Sequence, residues 1–179
     1  DDEFLELHIR NITGGTFTHH VFNEMKERDI LRIKGPLGTF FLREDSDKPV
    51  IFVASGTGFA PIKGIIEHAL QIGIQRPMHF YWGARTPVDL YEEPLVRRWT
   101  ADYPRFHFAG VLSETPPDAP DAADHARGWV HEAVLAQHPD LSGYEVYAAG
   151  PPAMIEAIRA QFPAHGLAAD RLHFDSFDY

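Results

Sequence analysis

The sequence predicts an α/β protein built on a doubly wound, five-stranded parallel sheet, preceded by part of an antiparallel β-barrel. From Val50 onward, short apolar runs alternate with segments whose apolar residues recur at helical spacing. Such alternation is typical of a parallel sheet covered by helices on both faces. Before Val50, apolar and polar residues alternate singly, as they do in antiparallel strands with one exposed face.

The front segment, residues 1–45, is predicted to hold strands around one short helix. Gly14 and Gly15 break the first alternating run, and Thr16 or Thr18 is the predicted N-terminal cap of the helix. Two or three antiparallel strands bury too little apolar surface to be stable alone. The predicted strands are Phe4–Arg10, Asp29–Lys34 and Thr39–Leu42.

A polar linker, Arg43–Pro49, separates this segment from residues 50–179, which are predicted to form a second domain. Residues 115–127, rich in Pro, Asp and Ala, are predicted to be an exposed loop. The predicted strands of the second domain begin at Val50, Met78, Phe106, Tyr144 and Leu172. Its first predicted helix begins at Pro61. The other three are predicted to span Glu92 to Asp102, Val130 to Gln137 and Ala153 to Phe162.

The turn formed by Ser55, Gly56, Thr57 and Gly58 is the strongest chemical signal in the chain. It follows an apolar strand and precedes a helix, so its backbone amides and the helix N-terminus can hold a phosphate. The turn is neither a dinucleotide fingerprint nor a P-loop, because a third glycine and a Lys-Ser or Lys-Thr pair are missing. The alternative is a tight connection that binds nothing.

Two further turns follow strands and are expected at the same carboxyl edge of the sheet, where open α/β sheets bind ligands. Arg85 follows the second strand and is expected to contact a ribose or a 2′-phosphate, with Tyr91 against an adenine. Gly150 and Pro151 begin the third turn, which is expected to lie beside the first. The alternatives are solvated loop residues for the second turn and a plain helix start for the third.

Composition excludes several classes of function. The chain has 179 residues, no cysteine and a formal net charge of -10. Without cysteine it has no disulfide, thiolate nucleophile or cysteine-ligated iron–sulfur site, and a cytoplasmic location is predicted. The negative charge argues against nucleic acid or a membrane as the main partner. The histidines are scattered, so no metal site is predicted, and no nucleophile–base pair favours a hydrolase.

Four motifs, taken together and in order, give the chain a family resemblance: GTGFAP, then YWGAR with DLY, then GPPAM, then HFDSF. They resemble the NAD(P)-binding module of the ferredoxin–NADP⁺ reductase superfamily. Within it, the chain is most similar to the flavin reductase components of ring-hydroxylating dioxygenases, of the benzoate dioxygenase reductase type, and to CDP-6-deoxyglucoseen reductases. In the front segment, GGTFT and GPLGTFFL resemble the family's flavin-pyrophosphate motif and the join between its two domains.

The resemblance implies an NAD(P)H-dependent flavoprotein reductase. NAD(P)H would reduce FAD, and the flavin would pass single electrons to an iron–sulfur protein or an oxygenase partner. Residues 1–45 would be the C-terminal part of an FAD-binding barrel and residues 50–179 the NAD(P)-binding domain. The chain is therefore expected to be a fragment of a longer protein. Similarity to oxygenase reductases favours NADH, although Arg85 could serve the 2′-phosphate of NADPH.

The resemblance also implies roles for individual residues. Phe177 would cover the flavin ring and move aside for the nicotinamide, although a terminal aromatic residue can also simply belong to the core. Gly15, Thr16 and Thr18 would contact the FAD pyrophosphate. The coenzyme would be bound by Ser55, Gly56, Thr57 and Gly58 at its pyrophosphate, by Arg85 and Tyr91 at its adenosine half, and by Gly150, Pro151 and Met154 along the path of the nicotinamide.

The chain departs from the family pattern in two respects. Ala149 stands where the family normally has a cysteine that faces the nicotinamide, and the Arg-x-Tyr-Ser flavin motif is absent. The rest of the barrel is missing as well. Ala149 and the missing barrel both favour the alternative hypothesis for this chain, a nucleotide-binding or regulatory module without catalysis.

Overall fold

A computed structural model describes residues 4–35, 37–116 and 123–177. The chain divides into two units, Asp1–Thr39 and Phe40–Tyr179. The second unit contains the whole parallel sheet.

The described residues of the first unit contain one helix, α1 (Thr16–Asn23), and no strand. The predicted strands Phe4–Arg10 and Asp29–Lys34 are therefore wrong, as is Thr39–Leu42, which runs from the last residue of the first unit into the second. A strand needs a neighbour to complete its backbone hydrogen bonds, and the described part of this unit supplies none. The apolar side chains of the alternating runs are accordingly exposed; that of Ile30 is 96% exposed.

The predicted threonine cap of α1 is also wrong. Gly15 is the N-cap residue, and no side chain caps the helix. Thr18 lies one turn inside, where its hydroxyl oxygen accepts a hydrogen bond from the Ile12 N–H at 3.3 Å and lies 3.1 Å from the Ile12 carbonyl oxygen. The Thr18 hydroxyl thus ties the preceding turn to the helix.

The second unit is a six-stranded sheet with strand order β4-β3-β2-β1-β5-β6, in which every neighbouring pair is parallel. The five predicted strands are confirmed. A sixth, two residues long, ends the segment predicted to be a loop and is too short to show a periodic pattern; residues 117–122 of that loop lie outside the described residues. The strands are β1 (Val50–Ser55), β2 (Met78–Ala84), β3 (Phe106–Leu112), β4 (Ala126–Arg127), β5 (Glu145–Gly150) and β6 (Leu172–Ser176).

Among the described residues, four α-helices connect these strands, close to the predicted positions. The first begins before Pro61, because the tight turn Gly56–Gly58 runs directly into it. None of the helices among the described residues has the length and apolarity needed to cross a membrane. The helices are α2 (Phe59–Gln71), α3 (Glu93–Asp102), α4 (Val130–Gln137) and α5 (Pro152–Gln161).

Each face of the sheet carries its own apolar core. Phe52 and Trp82 belong to a cluster with residues of α2 and α3. Val53 and Tyr81 face the other way, into a cluster with residues of α4 and α5. Burial on both faces explains the nearly continuous apolar runs of the central strands.

A buried ion pair fixes the linker to the amino edge of the sheet. Arg76 is 6% exposed, and its Nη1 lies 3.0 Å from Oε2 of Glu145. Its Nη2 donates a hydrogen bond to the carbonyl oxygen of Arg43 at 2.9 Å, while the Arg43 N–H donates to the Tyr147 hydroxyl at 2.8 Å. A buried guanidinium persists only when such partners replace its lost water.

The order of the strands reverses between β1 and β5. The chain adds strands on one side of β1 as far as β4 and then returns to place β5 and β6 on the other side. The carboxyl ends of β1 and β5 therefore flank the topological switch point, where open α/β sheets form a ligand-binding crevice.

Candidate nucleotide-binding site

The first and third predicted turns meet at the switch point. A β-carbon on Gly58 would lie 2.0 Å from the carbonyl oxygen of Ala149 and 2.9 Å from the backbone nitrogen of Gly150. Gly150 has φ +154°, and a β-carbon there would lie 3.3 Å from the backbone nitrogen of Ser55. The two turns are thus packed backbone against backbone, as expected from the sequence.

The first turn presents backbone to the open side of the crevice. Gly56 has φ +55°, and a β-carbon there would meet no atom of the described residues within 4 Å. No side chain caps the turn Gly56–Gly58, and α2 begins at the next residue. Ser55 and Thr57 are half-buried beside it. Open space above an uncapped helix N-terminus is suited to an anion, because the first amides point outward and the helix dipole adds positive potential.

The third turn holds three of the other predicted site residues. Pro151 is the exposed N-cap residue of α5, and its carbonyl oxygen accepts a hydrogen bond from the Met154 N–H at 3.0 Å. Met154 is buried, and its methyl carbon would lie 2.9 Å from a β-carbon on Gly150. The Phe177 N–H donates to the Gly150 carbonyl oxygen at 3.1 Å. The structure therefore brings Gly150, Pro151, Met154 and the backbone of Phe177 together.

Asp175 is a site candidate that the sequence analysis missed. It lies on β6 in register with Ala149 of β5, near the same carboxyl edge. Burial raises the pKa of its carboxyl group. The signal in the sequence was its place in the HFDSF motif, just after the predicted strand Leu172–Phe174.

Arg85 lies at the carboxyl end of β2 and is held by an acidic neighbour. The Arg85 side chain is 56% exposed, and its Nη2 lies 3.7 Å from Oδ1 of Asp89. The other carboxylate oxygen of Asp89 accepts hydrogen bonds from the Thr86 N–H and the Thr86 hydroxyl, both at 3.1 Å. Asp89 is thereby fixed, with its second oxygen directed at the guanidinium.

Tyr91 belongs to an aromatic group that reaches the first turn. Its ring meets Trp82 edge-on at 5.3 Å and Phe59 edge-on at 5.8 Å, and the residue is 44% exposed. Phe59 and Trp82 stack at 4.1 Å, and the indole N–H of Trp82 donates to the Gly56 carbonyl oxygen at 3.2 Å. The buried part of Tyr91 therefore supports the turn, and its exposed part remains accessible to a base.

Trp129 is a second missed candidate. It is the N-cap residue of α4 and is 62% exposed. Its neighbour Val130 lies over the end of β2, since a β-carbon on Gly83 would be 3.0 Å from that of Val130. An exposed indole at this edge is suited to stacking on a nucleoside base. A tryptophan directly before a predicted helix start was the signal in the sequence.

In the first unit, a shallow pocket lies at the N-terminus of α1. A β-carbon on Gly15 would lie 2.7 Å from the Thr18 hydroxyl oxygen, so this approach requires glycine. Thr16 lines the pocket. Thr18 does not line it, but its hydrogen bonds with Ile12 hold the turn before α1 in place. Uncapped amides and two imidazoles are suited to a pyrophosphate. The pocket is lined by Gly14, Gly15, Thr16, His19, His20 and Glu24.

Comparison with known protein families gives two matches. Residues 52–160 match the oxidoreductase NAD-binding domain family, and residues 1–42 match the oxidoreductase FAD-binding domain family. The two matches lie on either side of the linker.

Individual relatives agree with these matches. The CDP-6-deoxy-L-threo-D-glycero-4-hexulose-3-dehydrase reductase of Yersinia pestis is 42% identical over 173 residues, which are 97% of this chain and 51% of that protein. The ferredoxin–NAD(P)(+) reductase component of the naphthalene 1,2-dioxygenase system of Pseudomonas putida is 32% identical over 177 residues, 99% of this chain and 53% of that protein.

A solved structure shares the fold of both units. The crystal structure of an Amycolatopsis cytochrome P450 reductase is similar with a TM-score of 0.87 and 32% identity, covering 96% of this chain and 51% of that one. The chain spans about half the length of the relatives it matches.

Proposed function

Because this chain belongs to the family of oxidoreductase NAD-binding domains, we propose that it is the coenzyme-binding part of an FAD-dependent NAD(P)H oxidoreductase. The whole protein would pass electrons from NAD(P)H through FAD to an iron–sulfur centre or an oxygenase partner. The match of residues 1–42 to the FAD-binding domain family supports FAD as the cofactor. FAD, when bound, supplies the step between a two-electron donor and one-electron acceptors.

The contact between Gly58 and Ala149 is the observation that carries this proposal. It places the uncapped turn Gly56–Gly58 and the Gly150 turn on the two sides of the switch point. We assign the coenzyme pyrophosphate to Ser55, Gly56, Thr57 and Gly58, where the open space over Gly56 lets the anion reach the amides.

The nicotinamide half is assigned to the third turn. Pro151 stiffens its backbone, and Met154 supplies an apolar wall beneath Gly150. Phe177, tied by its N–H to Gly150, would shield the flavin until the nicotinamide displaces its ring. The Asp175 carboxyl group lies close by, and burial raises its pKa.

NADH is proposed as the preferred coenzyme. Asp89 places a carboxylate 3.7 Å from Arg85, so the positive charge that would attract a 2′-phosphate is already paired. A carboxylate at this edge repels a phosphate and can accept a hydrogen bond from a ribose hydroxyl. Trp129 and Tyr91 would flank the adenine.

FAD would be held in part by the first unit. Gly15 and Thr16 line the pocket at the N-terminus of α1 and would contact the FAD pyrophosphate, with Thr18 holding their turn in shape. The relatives are named as reductases of a dehydrase, of a dioxygenase system with ferredoxin, and of a cytochrome P450. An iron–sulfur protein or oxygenase acceptor for this chain is proposed by analogy with them.

Calorimetric titration of this chain with NADH, NADPH and ADP-ribose tests the site. We expect NADH and ADP-ribose to bind and NADPH to bind more weakly. Failure of all three to bind would remove the nucleotide assignment. Binding of NADH by a full-length protein that takes up no FAD would instead support the non-catalytic module, which Ala149 at the family's cysteine position also favours.

A further inference from the structure

Three histidines meet at the amino edge of the sheet, at the opposite end of the strands from the nucleotide site. His79 of β2 and His107 of β3 are register partners, and their rings stack with centroids 5.0 Å apart. The His79 ring also meets His138 edge-on at 4.8 Å. We call these three residues the histidine cluster. Within the described ranges, no group of three or more histidine and acidic side chains is arranged to hold a metal ion.

A chain of hydrogen bonds holds the His138 ring at the end of α4. The Tyr81 hydroxyl donates to Oε1 of Gln137 at 2.8 Å, and its oxygen lies 2.9 Å from Nε2 of His138. Nδ1 of His138 lies 3.2 Å from the hydroxyl oxygen of Tyr144. A proton added to His138 would place a positive charge beside the His79 ring, whose centroid is 4.8 Å away, and a second proton on His79 would make the two rings repel each other.

The groups facing His79 are His107 from β3, His138 from the end of α4, and Tyr144 from the segment before β5. The neighbouring charged residues are directed elsewhere: Arg105 donates to the Gln75 carbonyl oxygen, and Asp140 accepts from the Ser142 N–H. Arg76 and Glu145, at the same edge, form their own buried pair.

Helix α4 joins the histidine cluster to the nucleotide edge. Its first residue, Val130, lies over Gly83 at the carboxyl end of β2, next to the exposed Trp129. Its last residue, Gln137, and the following His138 are bonded to Tyr81. The helix has 8 residues, which corresponds to about 12 Å, so this one rigid element spans from the histidine cluster to the nucleotide edge.

We propose that the histidine cluster is an acid-sensitive latch, in which protonation of His79 and His138 releases the C-terminal end of α4 and weakens nucleotide binding at its N-terminal end. The coupling rests on the proposed function in one respect, namely that a nicotinamide nucleotide binds at the carboxyl edge.

The protonation behaviour agrees with this geometry. Burial, with smaller contributions from His138 and His107, lowers the pKa of His79 to about 4. Burial also lowers the pKa of His138. Once released, both side chains regain an ordinary pKa near 6.5. Acid therefore favours the released state, and the effect develops as the pH falls from about 6.5 towards 4.

The test is the affinity of this chain for NAD⁺, an acid-stable form of the coenzyme, at about pH 7.5 and about pH 5.5. We expect the wild-type affinity to fall roughly fivefold, at the low end of measured site–site couplings. His138→Gln combined with His79→Phe should remove the dependence. His68→Gln is the matched control, because His68 is an exposed histidine on α2 paired with Glu44; it should behave as wild type.

A second measurement needs no variant. Linkage is reciprocal, so saturating NAD⁺ should lower the pH at which the His79 and His138 imidazoles titrate, as followed by NMR of the wild-type chain. Equal NAD⁺ affinity at both pH values, or titration midpoints that NAD⁺ leaves unchanged, would overturn the latch while leaving the proposed function intact. Absence of NAD⁺ binding at both pH values would overturn the proposed function, and the latch with it.

Discussion

The carbonyl oxygen of Ala149 fills the space that a side chain at Gly58 would need, since a β-carbon there would lie only 2.0 Å away. The sequence suggested that the glycines of the first turn let the backbone approach an anion. The structure separates their roles. Gly58 lets α2 pack on the end of β5, whereas Gly56 leaves open the space in which an anion would lie.

Gly58→Ala is expected to destabilise the second unit. The obstructing atoms belong to the backbone of β5 and cannot rotate away, so overpacking should cost about 1–3 kcal/mol or more. Chemical denaturation followed by circular dichroism measures this free energy of unfolding. Stability equal to that of the wild type would mean that the two turns are not in contact.

Gly56→Ala should affect binding as well as folding. Its positive φ imposes about 1–2 kcal/mol of strain on alanine, but the added methyl group meets no protein atom within 4 Å. It would project towards the bound pyrophosphate, so the NADH affinity measured by calorimetry should fall about tenfold or more, an expectation from the loss of amide contacts with an anion. Gly64→Ala, in the exposed middle of α2, is the matched control and should leave the affinity unchanged. Equal affinities for both variants would contradict the phosphate assignment.

Trp129→Ala is expected to weaken NADH binding without destabilising the chain. The indole is 62% exposed and precedes α4, so the variant loses a surface on which a base can stack. Stacking of one base on an aromatic side chain contributes about 1–3 kcal/mol to binding. Tyr103→Ala removes another exposed aromatic ring, at the end of α3 before β3 begins, and serves as the control. Calorimetry of both variants should show weaker binding for Trp129→Ala alone; a similar loss in both would argue against stacking.

Arg76→Leu should be among the most destabilising single changes in the second unit. It leaves Glu145 buried without its partner, which typically costs about 3–5 kcal/mol, and it frees the linker at Arg43. Arg97→Leu removes an arginine that is half exposed and paired with Glu93, so it should cost less than about 1 kcal/mol. Urea denaturation measures the free energy of unfolding of both variants. Comparable losses of stability in the two would mean that the Arg76 pair does not anchor the linker.

The stability of the chain should fall in acid. The pKa of His79 is about 4 in the folded chain and about 6.5 when unfolded, so the unfolded state binds more protons between these values. Stability is therefore lost as the pH falls from about 6.5 to 4, by roughly 1–2 kcal/mol once solvent screening is allowed for. The free energy of unfolding of His79→Phe should depend less on pH over this range than that of the wild type; identical profiles would exclude His79 as a cause.

The sequence predicted the second unit well because its strands are buried on both faces. The apolar run of β1 and the helical spacing of α4 depend on local patterning alone, and the bounds of α4 agree with the prediction. The strand predictions in the front segment were wrong because the pairing of a strand depends on neighbouring strands, which the pattern of apolar residues does not specify. β4 has two residues, too few for any period.

The site was predictable only in part. The glycine turns were visible because strand, turn and helix follow one another in sequence. Asp175 and Trp129 come to the carboxyl edge of the sheet only through the fold. Asp175 lies on β6, the outermost strand beside β5, and Trp129 is the N-cap residue of α4, on the β2 side of β1. Their chemistry depends on where the sheet places them, which single residues in a sequence do not reveal.

The most direct test of the proposed reductase is the absorbance spectrum of the full-length protein, loaded with FAD and titrated anaerobically with NADH and then, separately, with NADPH. The proposal predicts a flavin spectrum that NADH bleaches at lower concentration than NADPH does. A protein that takes up no FAD, or whose flavin remains oxidised with both coenzymes, would contradict the proposal that this chain delivers electrons from NAD(P)H to a flavin.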